Sequence, residues 1–255
     1  TSKTYYDEDN STYGDLFDVI EELKSKSEKI DLLIITHIDD DHIGGLVKWF
    51  STDKSAYKLI ENIWFNSGKA ISQYLEEEEN KELKVLVEDT SSSYSSVRQS
   101  KDFEKYIDEH NITKENIIQF FIEPISLFDL SIHVLSPDKQ SLEKLLKEYQ
   151  KPKNNYFTSG SNDWNVLIED FIKEENEGTY LKTNKEKENS ISNRSSIAFI
   201  LFYKDSKMLF LGDAHLEVVL NSLKILGYSE KKPLEVDFVK LSHHGSKKNI
   251  NESLL

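Results

Sequence analysis

After a polar, turn-rich opening, Leu16, Phe17, Ile20 and Leu23 recur at helical spacing and predict a helix over residues 15–26. Leu32, Leu33, Ile34 and Ile35 instead form a short unbroken apolar run, the signature of a strand buried on both faces. That strand runs into the polar segment 37–42, with Gly44 and Gly45 placed to let the backbone turn tightly into a following helix. The order is therefore strand, polar loop, helix start.

The same reading predicts a strand over residues 60–65 and a helix over 69–87 whose Glu-rich side is a solvated face. The serine-rich run 91–96 reads as a loop, strands are expected at 117–122 and 132–135, and helices at 138–150 and 163–173. Residues 174–193 are Lys, Glu, Asn and Ser with almost nothing apolar. They read as an exposed insertion, with too little apolar surface to offset the entropy of ordering. Residues 197–203 and 208–211 flank the polar turn Lys204-Asp205-Ser206-Lys207 and make a β-hairpin that ends at Gly212-Asp213. A helix over 215–226 and a strand over 236–241 then lead to Ser242-His243-His244-Gly245-Ser246. Each polar cluster thus sits beyond the carboxyl end of a strand, where open α/β sheets place their chemistry.

With 255 residues, the chain is most economically one α/β domain with insertions. It starts at Thr1 and stops soon after the paired histidines, so it is expected to be incomplete at both ends and part of a larger multidomain protein or complex. The longest apolar candidate, 117–135, is interrupted by Glu123, Pro124 and Asp129, so no membrane segment is expected. There is no cysteine, which excludes disulfides, thiolate metal sites and cysteine nucleophiles and fits a cytoplasmic location. A net charge of −14 argues against a broad grip on polyanions, though not against a phosphodiester held locally by metal ions.

Without cysteine, any metal must use imidazole and oxygen ligands. His37, Asp39, Asp41 and His42 supply such a cluster within six residues. Alternation at 37, 39 and 41 lets an extended segment point these side chains one way, while His42 begins the turn. Asp40 lies out of phase and is expected to cap the turn or face solvent. Asp213 taken alone is an ordinary turn residue and gains weight from its company. Spacing does not decide which of His243 and His244 points to metal; His243 is preferred because it lies closer to the strand end. His110 and His133 read as structural or surface histidines, and the three tryptophans as core.

The run Thr36-His37-Ile38-Asp39-Asp40-Asp41-His42-Ile43-Gly44-Gly45 resembles the H-x-H-x-D-H motif of the metallo-β-lactamase superfamily, in a T-H-x-D-x-D-H-I-G-G form. Phe210-Leu211-Gly212-Asp213 and the segment from Val239 to Ser246 are similar to its later Gly-Asp and histidine elements. The His-His-Gly-Ser form and Asn193-Arg194-Ser195-Ser196 resemble the nuclease-like branch associated with bacterial DNA-uptake proteins. The resemblance implies a four-layer αββα sandwich with helical insertions and a centre of one or two divalent ions, Mn²⁺ or Zn²⁺. His37 and Asp39 would hold a first ion, Asp41, His42 and His243 a second, and Asp213 would bridge them. Asp39 stands where most members have histidine, and Asn193 about where a third-motif histidine would fall. Oxygen in place of nitrogen favours the harder Mn²⁺.

The implied activity is that of a metal-dependent hydrolase, a phosphodiesterase or nuclease acting on DNA through metal-activated water. Asp41 and Asp213 would orient and help deprotonate the water, and His244 would contact substrate or donate a proton to the leaving group. Asn193, His215, Lys247 and Lys248 are the candidate substrate contacts. The competing readings are a hydrolase of small esters, lactones or amides, and a non-catalytic metal-binding domain.

Overall fold

The computed structural model describes residues 2–75, 96–114, 117–150 and 190–242, and its strands fall mainly into two sheets. A short antiparallel pair, β1 (Tyr6–Asp7) and β2 (Thr12–Tyr13), precedes them. β3 (Leu33–Ile34), β4 (Asn62–Trp64) and β5 (Thr113–Lys114) form a parallel sheet in which Leu33 pairs with Ile63, and Ile63 with Lys114. β6 (Ile125–Leu127), β7 (Leu130–Ser136), β8 (Ala198–Tyr203), β9 (Ser206–Phe210) and β10 (Phe238–Lys240) form the second, in the order β10-β9-β8-β7-β6. Its pairings are antiparallel except that β10 runs parallel to β9.

Successive strand side chains point to opposite faces, and this alternation sorts the core into three. Leu33, Ile63 and Phe65 face a helical layer. That layer includes Ile20 of α1 (Asp15–Ser25), Trp49 of α2 (Asp40–Thr52) and Ile71 of α3 (Gly68–Tyr74), with Phe103 of α4 (Ser96–Glu109) and Leu142 of α5 (Lys139–Tyr149). The intervening Leu32, Ile34 and Trp64 point the other way and meet Ile132, Val134, Phe199 and Phe210 of the second sheet. A one-turn helix, α6 (Ile191–Arg194), leads into β8, whose alternate residues Ala198 and Ile200 pack with Leu209 under Val219 and Leu223 of α7 (Leu216–Ile225). Three cores thus separate four layers, helix, sheet, sheet and helix, and the fold is an αββα sandwich.

Most of the expected elements are present, and the differences have physical causes. Residues 117–122 form no strand. Asn66 takes the place of a ladder partner: its Nδ2 donates to the Ile118 carbonyl at 2.7 Å and its Oδ1 accepts the Ile118 N–H at 2.8 Å. Beyond it, Phe121 and Ile122 are 48% and 62% exposed, so the apolar run does not mark a buried strand. The helix α4 escapes the apolar pattern because its inner face carries Gln99 and Ser100, both buried. The hairpin turn is tighter than expected, with Tyr203 paired to Ser206 across Lys204 and Asp205. Gly44 and Gly45 lie inside α2 on its buried side, not in a turn before it.

The expected helix of 69–87 is described as α3 up to Tyr74, while residues 76–87, the loop residues 91–95, the helix at 163–173 and the insertion residues 174–189 lie outside the described residues. The end of that insertion is packed: Ser190 caps α6 by accepting from the Asn193 N–H at 3.2 Å, and Asn193 is buried. Among the described residues, no helix is long and apolar enough to cross a membrane.

Candidate metal centre

The polar loop 37–42 is shaped by the way α2 begins. Past β3, the Ile35 N–H still donates to the Trp64 carbonyl at 3.0 Å, and the chain then leaves the sheet. Asp39 is the N-cap of α2, and its carbonyl accepts from His42 and Ile43, each at 2.9 Å. Asp41 and His42 therefore occupy the first helical turn, which corrects the expectation of an extended segment alternating through 37, 39 and 41. The turn brings His42 back over His37, with ring centroids 4.0 Å apart. Carboxylates at this helix start sit in the favourable field of the backbone N–H groups. Asp40 neither caps the turn nor faces open solvent: its Oδ1 accepts from Gln99 Nε2 at 2.6 Å, which ties the start of α2 to α4.

Asp213 comes from the other sheet. At the end of β9 the chain turns through Gly212, whose φ of +51° lies in the left-handed region where a side chain is strained. A Cβ there would stand 2.4 Å from Ser196 Oγ. This close approach lets Ser196 Oγ accept the Asp213 N–H at 2.9 Å, and Asp213 is 2% exposed.

One donor atom from each of His37, His42 and Asp213 lies within 4.8 Å of the others. His37 Nε2 stands 3.6 Å from Asp39 Oδ2 and 3.8 Å from Asp213 Oδ2. His42 Nε2 stands 3.6 Å from Asp41 Oδ2 and 3.4 Å from Asp213 Oδ1. Asp213 thus turns one oxygen to each histidine. Ligands ~2.1 Å from a tetrahedral ion lie roughly 3.4 Å apart, so the spacing suits a divalent ion held among His37, His42 and Asp213. His37 Nε2 is buried and has no hydrogen-bond partner among the described residues, as suits a lone pair meant for a cation. The donor set of imidazole and carboxylate fits a divalent metal.

The electrostatics agree. Burial pushes the His37 imidazole down, but the carboxylates of Asp39, Asp213 and Asp41 outweigh it and hold the pKa above the usual value. Burial likewise opposes ionisation of Asp39, yet neighbouring His37, with help from Ser192 and His42, keeps its carboxyl below the usual range.

The other sequence candidates are placed less directly. His215 supplies the N-cap of α7 two residues beyond Asp213 and is half-buried. Asn193 is buried with its Oδ1 accepting the Ser190 hydroxyl at 3.0 Å. Ser242, buried, donates to the Ala214 carbonyl at 3.0 Å, so the end of β10 is fastened one residue beyond Asp213. His243, His244, Lys247 and Lys248 lie outside the described residues. His110 is structural, its Nδ1 3.0 Å from the Tyr106 carbonyl and its ring stacked on Tyr106. Thr36 and Ser196 also touch the centre, although a hydroxyl residue has no spacing signature that would mark it in the sequence.

Residues 10–134 match the family model of the metallo-beta-lactamase superfamily. The domain has the metallo-β-lactamase fold. No curated protein matches the chain. The matched segment holds the loop 37–42 and the first sheet, while Asp213 and its surroundings follow it in the same sandwich. Members of the metallo-β-lactamase superfamily are mostly metal-dependent hydrolases and typically bind one or two divalent ions.

Proposed function

We propose that this protein is a metal-dependent hydrolase that cleaves phosphodiesters, with DNA as substrate. The observation that carries the reading is the shared carboxylate: Asp213 faces His37 through Oδ2 and His42 through Oδ1. In this reading His37 and Asp39 hold one ion and His42, Asp41 and His243 another, with Asp213 between them. Bound divalent ions would supply acidified water near neutral pH and a Lewis acid for the phosphoryl oxygens.

The chain's own groups do the rest. Asp213, buried and fixed through its backbone, orients the attacking water, and Asp41, half in solvent at the first turn of α2, accepts its proton. His244 returns a proton to the leaving oxygen, and Asn193, His215, Lys247 and Lys248 contact the anionic substrate. The Asn-Arg-Ser-Ser and His-His-Gly-Ser elements support a nucleic-acid substrate over a carboxylic ester. Oxygen from Asp39 beside His37 favours Mn²⁺ over Zn²⁺.

The test is to strip the protein with chelator, reload it with Mn²⁺ or Zn²⁺, and measure bound metal beside activity on DNA, RNA, cyclic nucleotides and small esters. One or two ions per chain, faster DNA cleavage with Mn²⁺, and loss of turnover in Asp213→Ala are expected. Metal binding with ester cleavage alone would transfer the reading to small esters, and metal binding without turnover would leave a non-catalytic domain.

A further inference from the structure

An imidazole has two ring nitrogens, and the neutral ring offers an ion the one that carries no proton. Thr36 Oγ1 lies 3.1 Å from His37 Nδ1 and 3.2 Å from His42 Nδ1. The two Nε2 atoms face Asp213 instead. A hydroxyl oxygen can accept two hydrogen bonds but has a single proton to donate. If Thr36 donated to either Nδ1, that ring would carry its proton on Nε2, pointed at the centre and closed to a metal.

A second hydroxyl completes the arrangement. Ser196 Oγ lies 3.4 Å from His37 Nδ1 and accepts the Asp213 N–H at 2.9 Å. The next residue, Ile197, donates its N–H to the Thr36 carbonyl at 2.8 Å. Thr36 and Ser196 thus meet where the two sheets abut, and each touches donors of the centre.

We propose that Thr36 and Ser196 are positioning residues for the centre. Thr36 Oγ1 accepts the Nδ1–H of both His37 and His42, which fixes the tautomer of each ring and turns both Nε2 lone pairs toward Asp213. Ser196 holds the Asp213 backbone in register with those rings. The consequence for metal binding rests on the hydrolase reading above; the tautomers themselves do not.

The test therefore has two parts. Metal-stripped protein with ¹⁵N-labelled histidine, held at a pH where both rings are neutral, reports the tautomers by long-range ¹H–¹⁵N NMR. Wild type and Thr36→Ser are expected to carry the proton on Nδ1 at His37 and His42, whereas the near-isosteric Thr36→Val populates the Nε2–H form. Calorimetric titration with Mn²⁺ should then show affinity lower by about 10–100-fold in Thr36→Val and largely restored in Thr36→Ser, the size typical when a group supporting a metal ligand is lost. An Nε2–H on either ring of the wild type overturns the proposal, and needs no variant to fold. So does a Thr36→Val protein with both protons on Nδ1 and near wild-type affinity. Wild type that binds no Mn²⁺ would instead defeat the hydrolase reading, while the tautomers still judge Thr36.

Discussion

At the scale of single residues, Gly212 shows how little room the centre leaves. Its backbone has φ +51°, and a Cβ would stand 2.4 Å from Ser196 Oγ and 3.1 Å from the Ile197 carbonyl. Gly212→Ala should destabilise the protein by roughly 1–3 kcal/mol through the left-handed backbone, and by about 1 kcal/mol more where Ser196 is pushed off the Asp213 N–H. A urea midpoint equal to that of wild type would show that the turn can relax. Of the residues with ligand chemistry, His37, Asp39, Asp41 and His42 crowd one short stretch of the sequence, whereas Asp213 reads there as a turn residue and is brought beside His37 and His42 only by the fold. The roles of Thr36, Ser196 and Gln99 cannot be read there, even though Thr36 and Ser196 stand inside the recognised motifs, because each depends on which groups the side chain reaches across the fold. Asp40 resists a sequence reading for the same reason, since Gln99 is 59 positions away in the chain.

At the scale of elements, unbroken apolar runs mark the strands and helical spacing the helices. Strands such as β4 and β8 are apolar at consecutive positions because both of their faces are covered. The pattern misleads where a side chain replaces the ladder, at 117–122, and where a helix buries polar groups, at α4. Asn66 makes the first case testable. Asn66→Ala would leave the Ile118 N–H and carbonyl buried without their present partner, at a cost of roughly 1–3 kcal/mol for each group left unsatisfied. Denaturant titration should show the loss, and hydrogen exchange should quicken at the Ile118 amide. Unchanged exchange there would mean that another group had taken over both bonds.

At the scale of the whole molecule, acid stability depends on carboxylates that the fold has tied down. Lys24 of α1 reaches Asp53, the C-cap of α2, at 2.9 Å. Burial opposes ionisation of Asp53, but Ser55 and Lys24 outweigh it and lower its carboxyl to about 2. An unfolded aspartate titrates near ~3.9, so the unfolded chain binds this proton more readily. The stabilisation is fully present above about pH 4 and is lost as the pH falls through roughly 2. Asp53→Asn should flatten the acid limb of the stability profile in that window; equal steepness in both proteins would assign the limb to other groups.

The bond from the Ile197 N–H to the Thr36 carbonyl also bears on how the protein reaches its native state. His37 and Ser196 are 159 positions apart in the chain, so bringing them together closes a very long loop, with an entropic cost that must be met before any contact repays it. The donors that would hold an ion cannot gather while the two sheets are apart, and an ion bound by all of them therefore stabilises the closed sandwich alone. Binding there would be a readout of sheet docking: a chain with every helix formed but the sandwich still open would contain every ligand and no centre.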